Sequence, residues 1–311
     1  MKAVRIHAFG GPELLKYEDA PRPEPAAGEV CIRVRAAGVN PFDGKIRSGA
    51  FEEAMAHPLP LILGWDVAGD VAALGPGVTS FAVGDPVYAL ADYARDGAYA
   101  EYLVVAAALV ALKPRTLDYV AAASVPMAAE TAMQALYDLG QLQAGQTVLI
   151  HGAAGSLGGF AVQLAKLRGA HVIGTASAAN AGYVAGLGAD QVIDYKTQQF
   201  EALVQNADLV LDTQGGEVQA RSWPVLRPGG RLVSTVQPAT PPADAPAGVR
   251  GDWIFVQPSG DTLRALTALI EAGQLQTPVQ QVLPLREARH AQELLEAGLS
   301  KPGKVVLQVA D

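Results

Sequence analysis

The bend between residues 147 and 167 holds the residues whose types and spacing point most clearly to chemistry. The apolar run Thr147-Val148-Leu149-Ile150-His151 passes through Gly152-Ala153-Ala154-Gly155-Ser156-Leu157-Gly158-Gly159 into Phe160-Ala161-Val162-Gln163-Leu164-Ala165-Lys166-Leu167, which has helical spacing. Strand, glycine bend and helix in that order make a cradle for a pyrophosphate. Gly155 lets the backbone approach the anion with no Cβ in the way. Gly158 lets the helix pack close on the sheet, and the unpaired N–H groups at the helix start face the negative charge. Ala153 stands at the first position of the usual G-x-G-x-x-G, so the surrounding strands carry the assignment. Ala154, Gly155, Ser156, Leu157 and Gly158 are the expected phosphate contacts. His151 borders the bend, but a histidine ending a buried strand is read as packed there rather than as a general base.

About 20 residues past such a bend, an NAD-selective site places Asp or Glu on the adenosine ribose. Here the second strand ends in Gly174-Thr175-Ala176-Ser177, with no carboxylate to repel a 2′-phosphate. Thr175 and Ser177 are expected at the coenzyme, and Ser177, Asn180, Tyr195 and Lys196 are candidates for the phosphate itself. NADPH is therefore expected over NADH.

These residues need a frame. From Met1 to about Tyr119 short apolar runs are broken by Gly and Pro: Val30–Val34, Gly69–Leu74, Pro86–Leu90 and Leu103–Leu112. That region reads as β-rich. From Val120 an Ala-rich helical stretch runs through Leu139. Six candidate strands then alternate with helical segments: Thr147–His151, His171–Thr175, Gln191–Tyr195, Leu209–Asp212, Arg231–Val236 and Trp253–Val256. This alternation predicts an α/β fold with a doubly wound, parallel, six-stranded Rossmann sheet. A helix (Thr262–Ala272), a strand (Val279–Leu283), a helix (Glu287–Ala297) and a strand (Val305–Val309) follow. The expected division is 1–123 for the N-terminal portion of a catalytic domain, 124–260 for a nucleotide-binding domain, and 261–311 for a return to the first. Gln237–Arg250 is rich in Pro and Ala and reads as a loop.

With 311 residues the chain exceeds the ~250 to 300 that one core organises, which also favours two domains. No run approaches the ~18 uncharged apolar residues of a membrane span, and the first residues lack an apolar leader segment, so a cytoplasmic protein is expected. A net charge of −8 argues against a nucleic-acid or anionic-membrane partner, since those surfaces need clustered Lys and Arg. The single cysteine, Cys31, allows neither an internal disulfide nor a Cys-rich zinc knuckle and is read as a core residue.

Motifs along nearly the whole chain resemble those of the zinc-independent medium-chain dehydrogenase/reductases, in particular the quinone oxidoreductase (zeta-crystallin-like) family. They are Ala36-Ala37-Gly38-Val39-Asn40-Pro41-Phe42-Asp43 followed by Lys45-Ile46-Arg47-Ser48-Gly49; Gly64-Trp65-Asp66-Val67-Ala68-Gly69; Gly97-Ala98-Tyr99-Ala100-Glu101-Tyr102; Glu130-Thr131-Ala132-Met133-Gln134-Ala135-Leu136; Ala154 to Gly158; and Gly303-Lys304-Val305-Val306-Leu307. The resemblance implies a GroES-like β-rich catalytic domain beside the Rossmann domain, and a homodimer joined near Trp253–Gln257. It also implies that Thr131 contacts the nicotinamide amide. Ser234, Val236 and Gln237 would lie on the nicotinamide side of the sheet, Phe255 and Val256 would offer backbone groups to the carboxamide, and Asp212 and Thr213 would line the adenosine-side crevice.

Zinc alcohol dehydrogenases of the same superfamily carry a Cys, a His-Glu pair and a second Cys at positions matching Asn40, Trp65-Asp66 and about Met127. Neither Asn40 nor Trp65 can supply a thiolate or imidazole, so no metal is expected. Without a metal to polarise an alcohol, hydride would pass from NADPH to an electron-poor acceptor such as a quinone or an α,β-unsaturated carbonyl (enone). Asn40 and Lys45 are the expected catalytic pair: an amide N–H, in reach of the coenzyme as well, and an ammonium, both suited to charge growing on the acceptor oxygen. Asn40 could instead hold the Pro41 turn, and Lys45 could be a solvated surface lysine. Some relatives have tyrosines at Lys45 and Phe51, so the source of the returning proton is open between Lys45 and water. Alcohol/aldehyde interconversion and a non-catalytic NADPH-binding redox sensor are the alternatives.

Overall fold

The strand Glu29–Val39 explains how the N-terminal region coheres. Along it Val30, Cys31, Ile32 and Val34, and further on Ala36, Ala37 and Val39, are buried on both faces, and only Arg33 is exposed. In the computed structural model, which describes residues 1–298 and 302–309, it is the centre of a seven-stranded sheet. Its neighbours are Lys304–Gln308 on one side and Asp66–Leu74 on the other. The sheet continues to Val279–Pro284 at one edge and through Pro86–Leu90 to Val110–Leu112 at the other, with Tyr102–Ala106 also pairing to Glu29–Val39. A smaller antiparallel sheet joins Lys16–Asp19, Lys2–Ile6 and Leu61–Ile62. Gly38 permits a crowded contact: a Cβ there would lie 2.5 Å from the Ala123 carbonyl and 2.8 Å from Asp66 Oδ2. The helix Tyr119–Ala123 and the Asp66 carboxylate therefore both close on this strand.

Contacts divide the chain into two units. The first holds Met1–Met127, Pro258–Gly273 and the described residues from Thr277 onward; the second holds Ala128–Gln257 and Gln274–Gln276. In the second unit six strands are all parallel: Thr147–Ile150, His171–Ala176, Gln191–Asp194, Ala207–Asp212, Leu226–Ser234 and Arg250–Trp253. In chain order they lie third, second, first, fourth, fifth, sixth across the sheet. The order reverses between Thr147–Ile150 and Ala207–Asp212, and ligands of such sheets bind at the carboxyl ends of the strands flanking that reversal. Val148, Leu149 and Ile150 are fully buried there.

Three expectations about elements shift. The sixth strand is Arg250–Trp253, not Trp253–Val256: after Trp253 pairs with Ser234 the chain leaves the sheet, and Pro258 lies just beyond. The run Leu103–Leu112 is two strands, Tyr102–Ala106 and Val110–Leu112, separated by a single 3-10 turn. The helical stretch from Val120 breaks at Ser124, ahead of Pro126, which disfavours helical geometry in the residue before it. It resumes as Pro126–Met133 and widens into a π turn over Gln134–Leu139. Residues 237–249 form a loop, one residue short of the expected span because Arg250 already pairs in the sixth strand, and Ala239, Ala245 and Val249 pack it onto the core around Trp223 and Leu232. Among the described residues no helix is long and apolar enough to cross a membrane.

Candidate active site

In the second unit the glycine bend follows the strand Thr147–Ile150. Gly152 has φ +63°, and a Cβ on Gly158 would lie 2.2 Å from the Gly152 carbonyl oxygen, so the helix Ser156–Leu167 can close on the bend only at a glycine. Gly155 is the exposed N-cap and has no side chain to satisfy the first helical N–H groups. A Cβ on Gly155 would meet only the Gly152 oxygen, at 3.3 Å. Open N–H groups, an accessible glycine and a helix of 12 residues fit the pyrophosphate of a dinucleotide.

The polar residues behind the bend support it rather than face a ligand. Ser222 Oγ donates to the Val218 carbonyl (2.6 Å), so His151 Nε2 donates to Ser222 Oγ (2.9 Å). His151 Nδ1 is then the acceptor for Thr175 Oγ1 (3.3 Å), and Thr175 Oγ1 in turn accepts from the Gly152 N–H (3.2 Å). Burial lowers the His151 pKa to about 4. Thr175 is buried, so of the residues expected at the coenzyme it is one whose hydroxyl holds the loop.

Asp212 has a similar role on the neighbouring strand. Its buried carboxylate accepts from the N–H groups of Gln214 and Gly215 (2.9 Å each), from Gln219 Nε2 (3.2 Å) and from Ser234 Oγ (2.8 Å). Ser234 Oγ in turn accepts weakly from the N–H groups of Val236 and Gln237, and Gln237 Nε2 donates to Gln219. Thr213 Oγ1 donates to the His151 carbonyl (2.7 Å). Asp212 and Ser234 thus fix the strand ends that carry Thr213, Val236 and Gln237. Phe255 and Val256 follow the edge strand, and the Phe255 carbonyl accepts from Gln257 Nε2 (3.0 Å). Thr131 is buried on the helix Pro126–Met133.

At the adenosine end Ser177 is the N-cap of the helix Ala178–Gly186, and its hydroxyl makes no capping bond. Asn180 is half-buried in the first turn and Tyr195 is exposed at the end of the next strand. Sequence reasoning missed Asp194. It pairs across the sheet with Ala176, and its carboxyl is held below the usual range by hydrogen bonds from Thr197, Lys196 and Ala178. The carboxylate that is absent from the second strand reaches the start of this helix from the third.

The first unit holds a second polar cluster. Asn40 caps the helix Pro41–Arg47, and its N–H donates to Asp43 Oδ2 (2.8 Å), so its role at the Pro41 turn is real. Asn40 Nδ2 donates to Asp66 Oδ2 (2.9 Å), and Asn40 Oδ1 accepts from the Lys304 ammonium. Lys304 Nζ also lies 2.9 Å from Asp66 Oδ2, and the Met127 N–H donates to Asp66 Oδ1 (2.6 Å). The positions matched to zinc ligands, Asn40, Asp66 and Met127, do meet, but around the ammonium of a lysine. Lys304 stands in the Gly303-Lys304-Val305-Val306-Leu307 motif, at the start of the strand Lys304–Gln308, but sequence reasoning gave it no role at the site.

Asp43 is fully buried, accepts from Tyr99 Oη (2.7 Å), and is pushed up to about 7, chiefly by burial. Burial and the Asp43 charge raise the Tyr99 phenol well above its usual value. Asn40 and Lys45 line one cavity of about 270 Å³ together with Ser48, Gln292 and Glu296, and Lys45 is half-buried. From the same helix Phe42 meets Phe51, Trp65 and Tyr93, with ring centroids 5.0–5.5 Å away. Among the described residues no three His, Cys, Asp or Glu are grouped to hold a metal ion. His7 bonds Glu18, His57 bonds the Tyr93 carbonyl, and Cys31 is buried.

Comparison with known proteins agrees with this geometry. The family profile "Alcohol dehydrogenase GroES-like domain" matches residues 26–115 and "Zinc-binding dehydrogenase" matches residues 187–307. A chloroplastic NADPH-dependent alkenal/one oxidoreductase from Arabidopsis thaliana is 36% identical over 304 residues, which cover 94% of this chain and 75% of that protein. The quinone oxidoreductase of Coxiella burnetii superposes with a TM-score of 0.90 at 34% identity, covering 100% of this chain and 99% of that one. A mycobacterial protein solved with NADPH superposes with a TM-score of 0.88 at 30% identity, covering 99% and 100%.

Proposed function

This chain belongs to the quinone oxidoreductase branch of the medium-chain dehydrogenase/reductases, and we propose from that premise that it is an NADPH-dependent reductase of quinones or α,β-unsaturated carbonyls. The observation that carries the proposal is the uncapped glycine bend at the reversal of the parallel sheet, joined to relatives named for NADPH and for alkenals or quinones. When bound, NADPH supplies a hydride from its nicotinamide ring.

The chain's own residues then have distinct tasks. Ala154 to Gly158 hold the pyrophosphate through backbone N–H groups. Ser177, Asn180 and Tyr195 bind the 2′-phosphate side, Thr213 lines the adenosine-side crevice, and Thr131, Val236, Gln237, Phe255 and Val256 orient the nicotinamide side. In the first unit the free Nδ2–H of Asn40 and the Lys45 ammonium stabilise negative charge on the acceptor oxygen, and Lys45 or water returns the proton. We take residues 1–123 and 261–311 as the catalytic domain and 124–260 as the coenzyme domain. We also take the chain as a cytoplasmic homodimer. The strand Arg250–Trp253 is bonded on one side only and leaves Trp253 43% exposed, an edge that a second copy could extend.

Anaerobic mixing of the NADPH complex with a quinone, an enone and a saturated aldehyde tests the proposal. The quinone or the enone should oxidise NADPH fastest; oxidation by neither would overturn it.

A further inference from the structure

We propose that Lys304 is a positioning residue for Asn40: its ammonium, paired with Asp66, locks the Asn40 carboxamide in one orientation so that a single N–H is left to face the reacting partner. This rests on the reading of Asn40 given above. A carboxamide looks nearly the same after a half-turn about its last bond, and only its partners decide which end is oxygen. Here the partners are charged. Lys304 donates to Oδ1, and Asp66 Oδ2 accepts from Nδ2 at 2.9 Å. A half-turn would set the amide NH₂ against the ammonium and the amide oxygen against the carboxylate, replacing two attractions by two repulsions. Lys304 is 3% exposed and Asp66 is 0% exposed, so water screens neither.

The remaining contacts fix the clamp in place. The Met127 N–H holds the other oxygen of Asp66, so the carboxylate cannot turn away. Asp43 Oδ2 holds the Asn40 backbone N–H and the Tyr99 hydroxyl. With one Nδ2–H on Asp66, the amide has one donor left, and Asn40 lines the same cavity as Lys45. A lysine remote in the chain therefore determines whether this position presents a donor or an acceptor.

The test is a cycle of variants. Lys304→Met alone leaves Asp66 unpaired in the interior and can unfold the chain. The paired change Asp66→Asn with Lys304→Met removes both charges and keeps an acceptor for the Met127 N–H. It is made in the wild-type and in the Asn40→Ala background, with urea midpoints recorded to establish folding. At saturating NADPH, the pair should lower the single-turnover rate with an enone about tenfold in the wild-type background, and less than twofold once Asn40 is alanine. Equal losses in both backgrounds, or no loss in the first, would overturn the clamp.

A second readout needs no turnover. The sequence has three asparagines, Asn40, Asn180 and Asn206, so labelling asparagine nitrogen gives three side-chain amides, with Asn40 identified by its loss in Asn40→Ala. The Asn40 amide protons should be distinct and slow to exchange in the wild type, and faster in the folded Asp66→Asn/Lys304→Met pair. Identical exchange in the two proteins would also overturn the clamp. If the wild type oxidises no NADPH, the proposed function fails, and exchange still decides the clamp.

Discussion

Asp43 and His151 show how burial sets the behaviour of single residues in this chain. The Asp43 pKa is raised to about 7, chiefly by burial, so the folded state holds its proton where the unfolded chain has released it. The associated stability is complete below the unfolded carboxylate value of ~3.9 and is lost as pH rises to about 7. Asp43→Asn should remove that loss: urea midpoints of the variant should stay flatter between those limits than those of the wild type. His151 has the opposite sign. Its pKa is lowered to about 4, so its contribution is present above ~6.5 and is lost as pH falls through about 4. His151→Gln should lessen acid lability, read as a smaller drop in melting temperature on acidification. At the site itself, Lys45→Ala should lower kcat about a hundredfold, the lower end of the scale for removing one charge-stabilising donor, and an unchanged kcat would remove Lys45 from that role. Asn40 and Lys45 were picked out together because their motif is local, and the structure sets both on one cavity. Lys304 stood in a quoted motif without a role and Asp194 was not picked out, since each reaches its partners through strand pairing that the local sequence does not report.

Among the elements, the glycine bend separates binding from folding. Gly155→Ala adds a methyl that meets only one oxygen at 3.3 Å, so the fold should persist while NADPH affinity falls about tenfold or more as the methyl enters the phosphate's place. Gly158→Ala forces a methyl to 2.2 Å from a backbone oxygen and should lower the melting temperature as well. Calorimetric scans and coenzyme titrations of the two variants check this difference; equal melting losses would contradict it. Strand and helix succession was readable from apolar periodicity across the second unit. The edge strand and the broken helix after Val120 were misplaced by a few residues, because register with Leu226–Ser234 and the constraint ahead of Pro126 decided those boundaries, and apolar pattern reports neither. Thr175 was assigned to the coenzyme from its position at a strand end, and Asp212 and Ser234 from the family resemblance. Their side chains turn inward, and sequence cannot show which way a strand-end residue faces.

For the whole molecule, a chain with two units and no grouped metal ligands among its described residues should act through a reduced nicotinamide coenzyme. A ligand that binds only the native state stabilises it, by about 2.7 kcal/mol at a hundredfold excess over Kd. NADPH should therefore raise the melting temperature more than NADH at equal concentration, and a shift for neither would count against the coenzyme assignment. The most direct measurement follows the hydride. NADPH deuterated at the transferring position of its nicotinamide C4 is mixed with an enone, and the product is examined for the site of the label. Deuterium at the β-carbon of a saturated ketone is the expected result. Deuterium at the carbonyl carbon of an allylic alcohol, or no transfer to enone or quinone, would contradict the account.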